Sequence, residues 1–316
     1  MNIAFTLCNR NQLTNALCLG QSLMQHNPDY TFCLGWVDSA PLNNLPPWVQ
    51  LIRADELPIA QWESMIGQYC ELELQAAIKP FLIRRLVSTF PDYQHLIYFA
   101  PTTQVFGCLE KIVDPSAFIQ LTPNRTEPID EAAIEGLDDK RILNIGMYHA
   151  GAIIFHQSEQ LDTLLNWWEE RAIDRHYLNL CDGMALDQLW LNYLPIYFDN
   201  VKTIRNSTWH IGLHSLIGES YTFNKNYVLS VDFAGIAAFH PIWSDHTKQA
   251  LGHLDLSILA KAYMKRLAEM NMYVPQMGDI YGNKVTVGNF RGLRKRVVKA
   301  LATVVSGIEQ YNLTYN

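Results

Sequence analysis

NIAFTLCNRNQLTNALCLGQSLMQHNPDYTFCLGWVD, residues 2–38, is the stretch whose pattern decides the fold class. Residues 3–8 are an apolar run of strand length, and Asn9-Arg10-Asn11-Gln12 is a polar turn. From 13 to 26 the apolar residues Leu13, Ala16, Leu17, Leu19 and Leu23 recur at helical spacing, until Asn27-Pro28 ends the pattern. Residues 30–37 form a second apolar run closed by Asp38, and 49–53 a third. Strand, turn, helix and strand in that order predict an α/β architecture with a largely parallel sheet. No G-x-G-x-x-G follows the first strand, so the dinucleotide fingerprint is missing.

The same reading extends down the chain. A helix is expected over 72–86, interrupted by Pro80, and strands over 95–99 and 118–121. An acidic helix is expected over 130–137. Residues 148–155 read as a strand with Gly151 inside it, which signals a bulge or a close approach to the backbone. Helices are expected over 160–171, 184–193 and 254–270, and short strands over 201–204 and 237–240. Trp167 and Trp168 fit helix packing, since aromatic side chains dominate cores. The chain shows no internal repeat.

The 316 residues are 49% hydrophobic and 17% charged, enough to bury roughly 75% of the unfolded surface. No polar low-complexity tract divides them. We expect one large domain over 1–250 and a helical C-terminal extension, 251–316, packed on it. The net charge of -7 offers no basic stripe for nucleic acid. Cys8, Cys18, Cys33, Cys70, Cys108 and Cys181 form no C-x-x-C pair, so a zinc site at that spacing is not expected, and most read as small hydrophobes. No secretory leader and no apolar run of membrane-spanning length is evident, so a cytoplasmic location is expected and the sequons at Asn124, Asn206 and Asn312 read as chance matches. The tail from 291 to 308 mixes Arg291, Arg294, Lys295, Arg296 and Lys299 with apolar residues. It reads either as an amphipathic helix packed on the domain or as one lying on an anionic membrane surface.

Six segments then align, in order, with a known family. They are Cys8-Asn-Arg-Asn-Gln-Leu with the following helix through His26-Asn27-Pro28; Glu73-Leu-Gln-Ala-Ala-Ile-Lys79-Pro80-Phe81; Leu96-Ile-Tyr-Phe-Ala100-Pro-Thr102; Gly146-Met-Tyr-His149-Ala150-Gly151; Leu186-Asp187-Gln188-Leu-Trp-Leu-Asn192; and Ala238-Phe239-His240-Pro-Ile-Trp243. Together they resemble bacterial GT-A-fold glycosyltransferases related to the glycogenin-like, retaining family 8 enzymes. The resemblance runs from about residue 2 to about 243. It implies a Rossmann-like α/β domain with a mixed, mostly parallel central sheet flanked by helices.

The resemblance also implies a site. Thr6, Cys8, Asn9, Asn11 and Asp38 would hold the nucleoside, although Asp38 also reads as the end of a strand in a turn. Asp187 and Gln188 would contact the donor sugar; Asp187 alternatively serves as the acid at a helix N-terminus. Lys79, Ala100, Thr102, His149, Ala150, Gly151 and His240 would surround the donor. The family's metal-binding carboxylates fall at Ala100 and Thr102, which supply none, so Mn²⁺ or Mg²⁺ is disfavoured. A carboxylate from elsewhere, such as Asp232 or Asp245, is left open. Lys79, Arg84, Arg85 or Lys202 would then neutralise the diphosphate, and Glu73 would pair with Lys79 or face solvent. His240 reads as a ligand or a satisfied core histidine. His149 and His210 stand where asparagines are expected, as substitutes for missing polar groups or an acid–base pair. The expected activity is transfer of a sugar from a nucleotide sugar, a UDP-sugar first, to a polysaccharide, lipid-linked glycan or protein. The alternative is an inactive GT-A-like binding or scaffold subunit.

Overall fold

In the computed structural model β1 (Asn2–Cys8) is buried at all but its first residue. A strand covered on both faces belongs in the middle of a parallel sheet. Alternate residues divide between two cores. Ala4 and Cys8 face the side covered by α1 (Leu13–His26), and Ile3, Phe5 and Leu7 face the side covered by α3 (Glu71–Thr89). The structure describes residues 1–126, 128, 139–216, 227–250, 254–282, 297, 300, 301 and 304, apart from the side chains of 245, 249 and 250.

The remaining elements, in order, are β2 (Tyr30–Trp36), β3 (Val49–Arg53), α2 (Trp62–Gln68), β4 (His95–Phe99), β5 (Thr103–Val105), β6 (Ile119–Pro123), α4 (Asp139–Ile145), β7 (Tyr148–His156) and α5 (Gln160–Ala172). They continue with β8 (Leu178–Asn179), β9 (Met184–Ala185), α6 (Leu194–Tyr197), β10 (Val201–Thr203), β11 (His210–Ile211), α7 (Leu213–Leu216), β12 (Ser230–Asp232), α8 (Thr247–Ala250) and α9 (Leu254–Met270). The main sheet has seven strands in the order β10-β6-β7-β4-β1-β2-β3. All neighbours are parallel except β7, which runs against both β4 and β6. The expected mixed, mostly parallel α/β sheet is therefore present. Because β7 is reversed, its first residues lie beside the C-terminal ends of β4 and β6, where open sheets of this kind bind ligands.

A smaller sheet, β11-β12-β5, stands beyond that edge. Its strands are two or three residues long, too short for a period to register. The antiparallel pairing of β12 with β5 sets Asp232 opposite Thr103, and Phe233 N donates to the Thr102 carbonyl at 3.0 Å. Two segments 130 residues apart in sequence meet there.

Several expectations change. Pro80 does not interrupt α3, which runs unbroken over 19 residues. The proline forfeits one helical hydrogen bond, while Leu74, Ala77, Ile78, Leu82 and Ile83 on either side are buried and hold the helix together. Residues 184–193 are not one helix. Leu186 adopts φ 56°, which breaks the run into β9 and a 3₁₀ segment from Gln188 to Tyr193. Residues 237–240 form no strand: a turn at 235–237, in which Gly235 N donates to the Ala238 carbonyl and Ala237 N to that of Phe233, leaves only a single bridge from Ala238 to Ala234. Cys8, Cys18 and Cys33 are buried, but Cys108 and Cys181 are exposed. Trp168 is core, while Trp167 packs edge-on to Trp190. The acidic 130–137 segment and most of the basic tail lie outside the described residues.

The chain divides into two units, Met1–Asn283 and Lys284–Asn316. Within the first, α9 packs on α1: Asn15 Nδ2 donates to the Tyr263 hydroxyl at 2.8 Å, and Tyr263 stacks on Phe233 with centroids 4.3 Å apart. Among the described residues no helix is long and apolar enough to cross a membrane.

Acid should weaken this fold through its buried histidines. Burial pushes the imidazoles of His95, His156 and His176 down to about 4, from 6.5 for the free group. Between those values the unfolded chain binds protons that the folded chain refuses, so stability falls as pH falls. Each histidine contributes up to about 1.4 kcal/mol per pH unit in that window. Urea midpoints near neutrality and at about pH 5 check this. A lower midpoint in acid is expected, and equal midpoints contradict it.

Candidate functional site

The sequence of α3 places Lys79 on a buried face among Gln75, Ala76, Ile78 and Leu82. A lysine there must find an anion, because a lone buried ammonium is costly. Lys79 Nζ meets Asp187 Oδ2, and the two side chains are 3% and 4% exposed. Nζ also donates to the Ala150 carbonyl at 3.1 Å and lies 3.9 Å from the Tyr98 ring centroid. Burial pushes the Lys79 pKa down, and the Asp187 carboxylate opposes that shift. One ion pair thus joins α3, the start of β7 and the 186–187 turn.

Gln188 continues this network. Its Oε1 accepts from Ala150 N at 3.2 Å and its Nε2 donates to the Ile145 carbonyl at 2.8 Å. Both bonds orient the amide and fix the backbone of β7 beside Asp187. Gly146 (φ 110°) lies directly under this link; a Cβ there would come 2.9 Å from the Gln188 carbonyl oxygen.

An open cleft of about 790 Å³ lies over these residues. Lys79, Ala100, Thr102, His149, Ala150, Gly151, Asp187, Gln188 and His240 all line it. Gln12, Gln75, Tyr98 and Asp232 join them. Gly151 is explained by its neighbour two residues back on the same strand face: a Cβ there would lie 2.3 Å from His149 Nε2. The close approach is made by an imidazole.

The residues expected to hold a nucleoside lie apart from this lining. Thr6 and Cys8 are fully buried, and burial raises the Cys8 thiol pKa. Asn9 and Asn11 both donate to Glu71 Oε2, at 2.7 and 2.9 Å. Asp38 is held by Arg10 through Nε (2.7 Å) and Nη2 (2.5 Å), and its Oδ1 accepts from Ala40 N at 2.9 Å. That last bond closes the turn after β2.

Nor do the other expected cations gather at the cleft. Arg84 pairs with Glu169 and Asp162, both at 2.6 Å, and Lys202 with Asp114 at 2.7 Å. The expected Glu73–Lys79 pair is replaced: Glu73 accepts from the backbone N–H groups of Cys70 and Leu178, each at 2.9 Å. At the two positions where the sequence resemblance leads one to expect carboxylates, Ala100 has no polar side chain and Thr102 Oγ1 donates to Asp232 Oδ1 at 2.5 Å. Those two residues do not suit a hard cation that takes several oxygen ligands. His240 is half-buried, its Nδ1 accepts from Ile242 N at 3.2 Å, and burial pushes its pKa to about 4. The imidazole is therefore neutral at pH 7.

No protein-family model matches the chain. A Bacillus subtilis (strain 168) protein described as uncharacterized protein YfnF is 21% identical over 255 residues, covering 74% of this chain and 79% of its own. Solved structures of similar chain path include the galactosyltransferase LgtC in complex with donor and acceptor sugar analogs, at TM-score 0.45 and 14% identity over 87% of this chain and 98% of that one. Another is a glycosyltransferase involved in the glycosylation of the major capsid of PBCV-1, at TM-score 0.43 and 10% identity over 86% and 99%. A third is the glycosyltransferase GlyE of Streptococcus pneumoniae TIGR4, at TM-score 0.46 and 11% identity over 84% and 64%.

The buried pair should behave as a unit. Lys79→Met alone strands the Asp187 carboxylate and is expected to cost about 3–5 kcal/mol, whereas Lys79→Met/Asp187→Leu should cost much less than the sum of its single changes. Denaturant unfolding of the three variants measures the coupling, and additive losses would contradict the pairing.

Proposed function

We propose that the cleft binds a nucleotide sugar and that the protein transfers its sugar to an acceptor hydroxyl. The observation that carries this reading is the Lys79–Asp187–Ala150–Gln188 network. It holds a carboxylate and an amide at fixed positions on the wall of an open cleft, at the C-terminal edge of the sheet. Oxygen-rich sugars are recognised by polar groups oriented in this way. One Asp187 oxygen is taken by Lys79, and the other would accept from donor-sugar hydroxyls or face the positive charge that develops at the anomeric carbon. Gln188, pinned at both ends of its amide, would keep the β7 backbone in place during transfer. The six-segment likeness to family 8 enzymes supports the same assignment, with a UDP-sugar as the first donor to test. A polysaccharide, lipid-linked glycan or protein would be the acceptor.

The diphosphate would meet the cleft's N–H groups and the His240 imidazole, because Arg84 and Lys202 are engaged elsewhere. Ala100 and Thr102 also favour a second reading, a subunit that binds a sugar nucleotide without turning it over. Nucleoside diphosphate release from a panel of nucleotide sugars, with candidate acceptors, separates the two. The transferase predicts release from one donor, and a loss of about 100-fold or more in Asp187→Asn, equivalent to roughly 3 kcal/mol of transition-state stabilisation. Circular dichroism of the variant checks that it is folded. Binding of a donor without release selects the second reading. Full turnover in folded Asp187→Asn would remove Asp187 from the mechanism.

A further inference from the structure

Three side chains from three separate segments converge behind Thr102. His149 comes from β7, His210 from β11 and Asp232 from β12, and all three are at least nine-tenths buried. One ligand atom from each lies within 4.8 Å of the others. Among the described residues this is the one group of histidine, cysteine or carboxylate side chains arranged in that way.

The hydrogen bonds around the cluster show which lone pairs are free. Ser230 Oγ donates its single proton to the Trp209 carbonyl at 2.7 Å. Its contact with His210 Nδ1, at 3.0 Å, must then be an acceptance from an Nδ1–H. That fixes the tautomer and leaves His210 Nε2 a bare lone pair, buried and without a hydrogen-bond partner. His149 Nδ1 is likewise buried and unpartnered. Burying such atoms is costly unless something occupies them. Asp232 is oriented as carefully. Its Oδ1 accepts from Thr102 Oγ1 at 2.5 Å and from Ala234 N at 2.9 Å, while Oδ2 is turned to His149 Nε2 at 3.3 Å.

We propose that His149, His210 and Asp232 form a binding site for a divalent first-row transition-metal ion of the Zn²⁺ or Co²⁺ kind. Two imidazoles and a carboxylate are a ligand set for such ions rather than for Mg²⁺ or Ca²⁺, and three protein ligands leave a coordination position open. Bonds of about 2.0–2.2 Å in tetrahedral geometry put ligand atoms roughly 3.3 Å apart. The His149–Asp232 contact already has that spacing. Binding would release the proton shared between them or use the free His149 Nδ1. The Ser230–His210 and Thr102–Asp232 bonds are the outer contacts that hold ligands of this type in position. His149 and Asp232 also line the cleft, which gives an ion its way in and turns the open position towards a ligand there. The site stands on its own geometry and does not depend on the transferase reading.

Metal uptake alone is the test. Tag-free protein is stripped with a chelator, dialysed and titrated with Co²⁺ or Zn²⁺ in the absence of nucleotide. Bound metal is counted by mass spectrometry and the Co²⁺ spectrum recorded. One ion per chain is expected. His210→Gln and Asp232→Asn should abolish measurable uptake, and Ser230→Ala, a milder change, should weaken it by roughly 10-fold. Cys108→Ser/Cys181→Ser should bind as the parent does, since thiols are not ligands. The proposal is overturned if the folded parent protein takes up neither metal, or if Ser230→Ala and the folded ligand variants bind as tightly as the parent.

Discussion

A lysine on the inner face of a helix constrains everything around it. The Lys79 side chain is almost wholly buried on α3, so the fold must bring a carboxylate to it, and Asp187 is that carboxylate. Satisfying the charge ties together the long helix, the first residues of β7 and the turn before the 3₁₀ segment at Gln188. Those three parts form one wall of the cleft. Replacing a buried pair by apolar residues is often neutral or better for stability. The pair here keeps an anionic oxygen at a fixed point beside open space.

The opposite wall depends on a weaker-looking feature, the three-residue pairing of β12 with β5. That pairing sets Asp232 opposite Thr103 and within reach of the Thr102 hydroxyl. The carboxylate comes from a different part of the chain, and its company is two imidazoles rather than a second acid.

The half of the fold legible in the sequence is the half with long, regular patterns. β1, α1, β2 and β3 announce themselves because apolar runs and helical spacing extend over several residues with clear stops. Segments of two or three residues carry no such period, so β5, β11 and β12 are not legible in the sequence; it singles out His149, His210 and Asp232, but not the strand pairing that brings the three together. The break at 186 was hidden for another reason: the left-handed residue is Leu186, where glycine or asparagine would have signalled it. Lys79, Asp187, Gln188, His149, Gly151 and His240 were marked by motif likeness, and the structure brings them to one cleft. Motif likeness gave no hint that Arg10 would hold Asp38, or that Glu71 would hold Asn9 and Asn11, because such partners are chosen in space.

A nucleotide-sugar site in this cleft is the proposal on which the functional reading rests. A thermal-shift panel of nucleoside diphosphates and nucleotide sugars, run with EDTA and then with added divalent metal, tests it most directly. A ligand that binds only the folded state raises the melting temperature, by about 2.7 kcal/mol of stabilisation at a hundred times its dissociation constant. A rise is expected with one nucleotide base over the others, and a smaller rise when Asp187 is replaced by asparagine. No rise with any nucleotide at millimolar concentration, with or without metal, would contradict it.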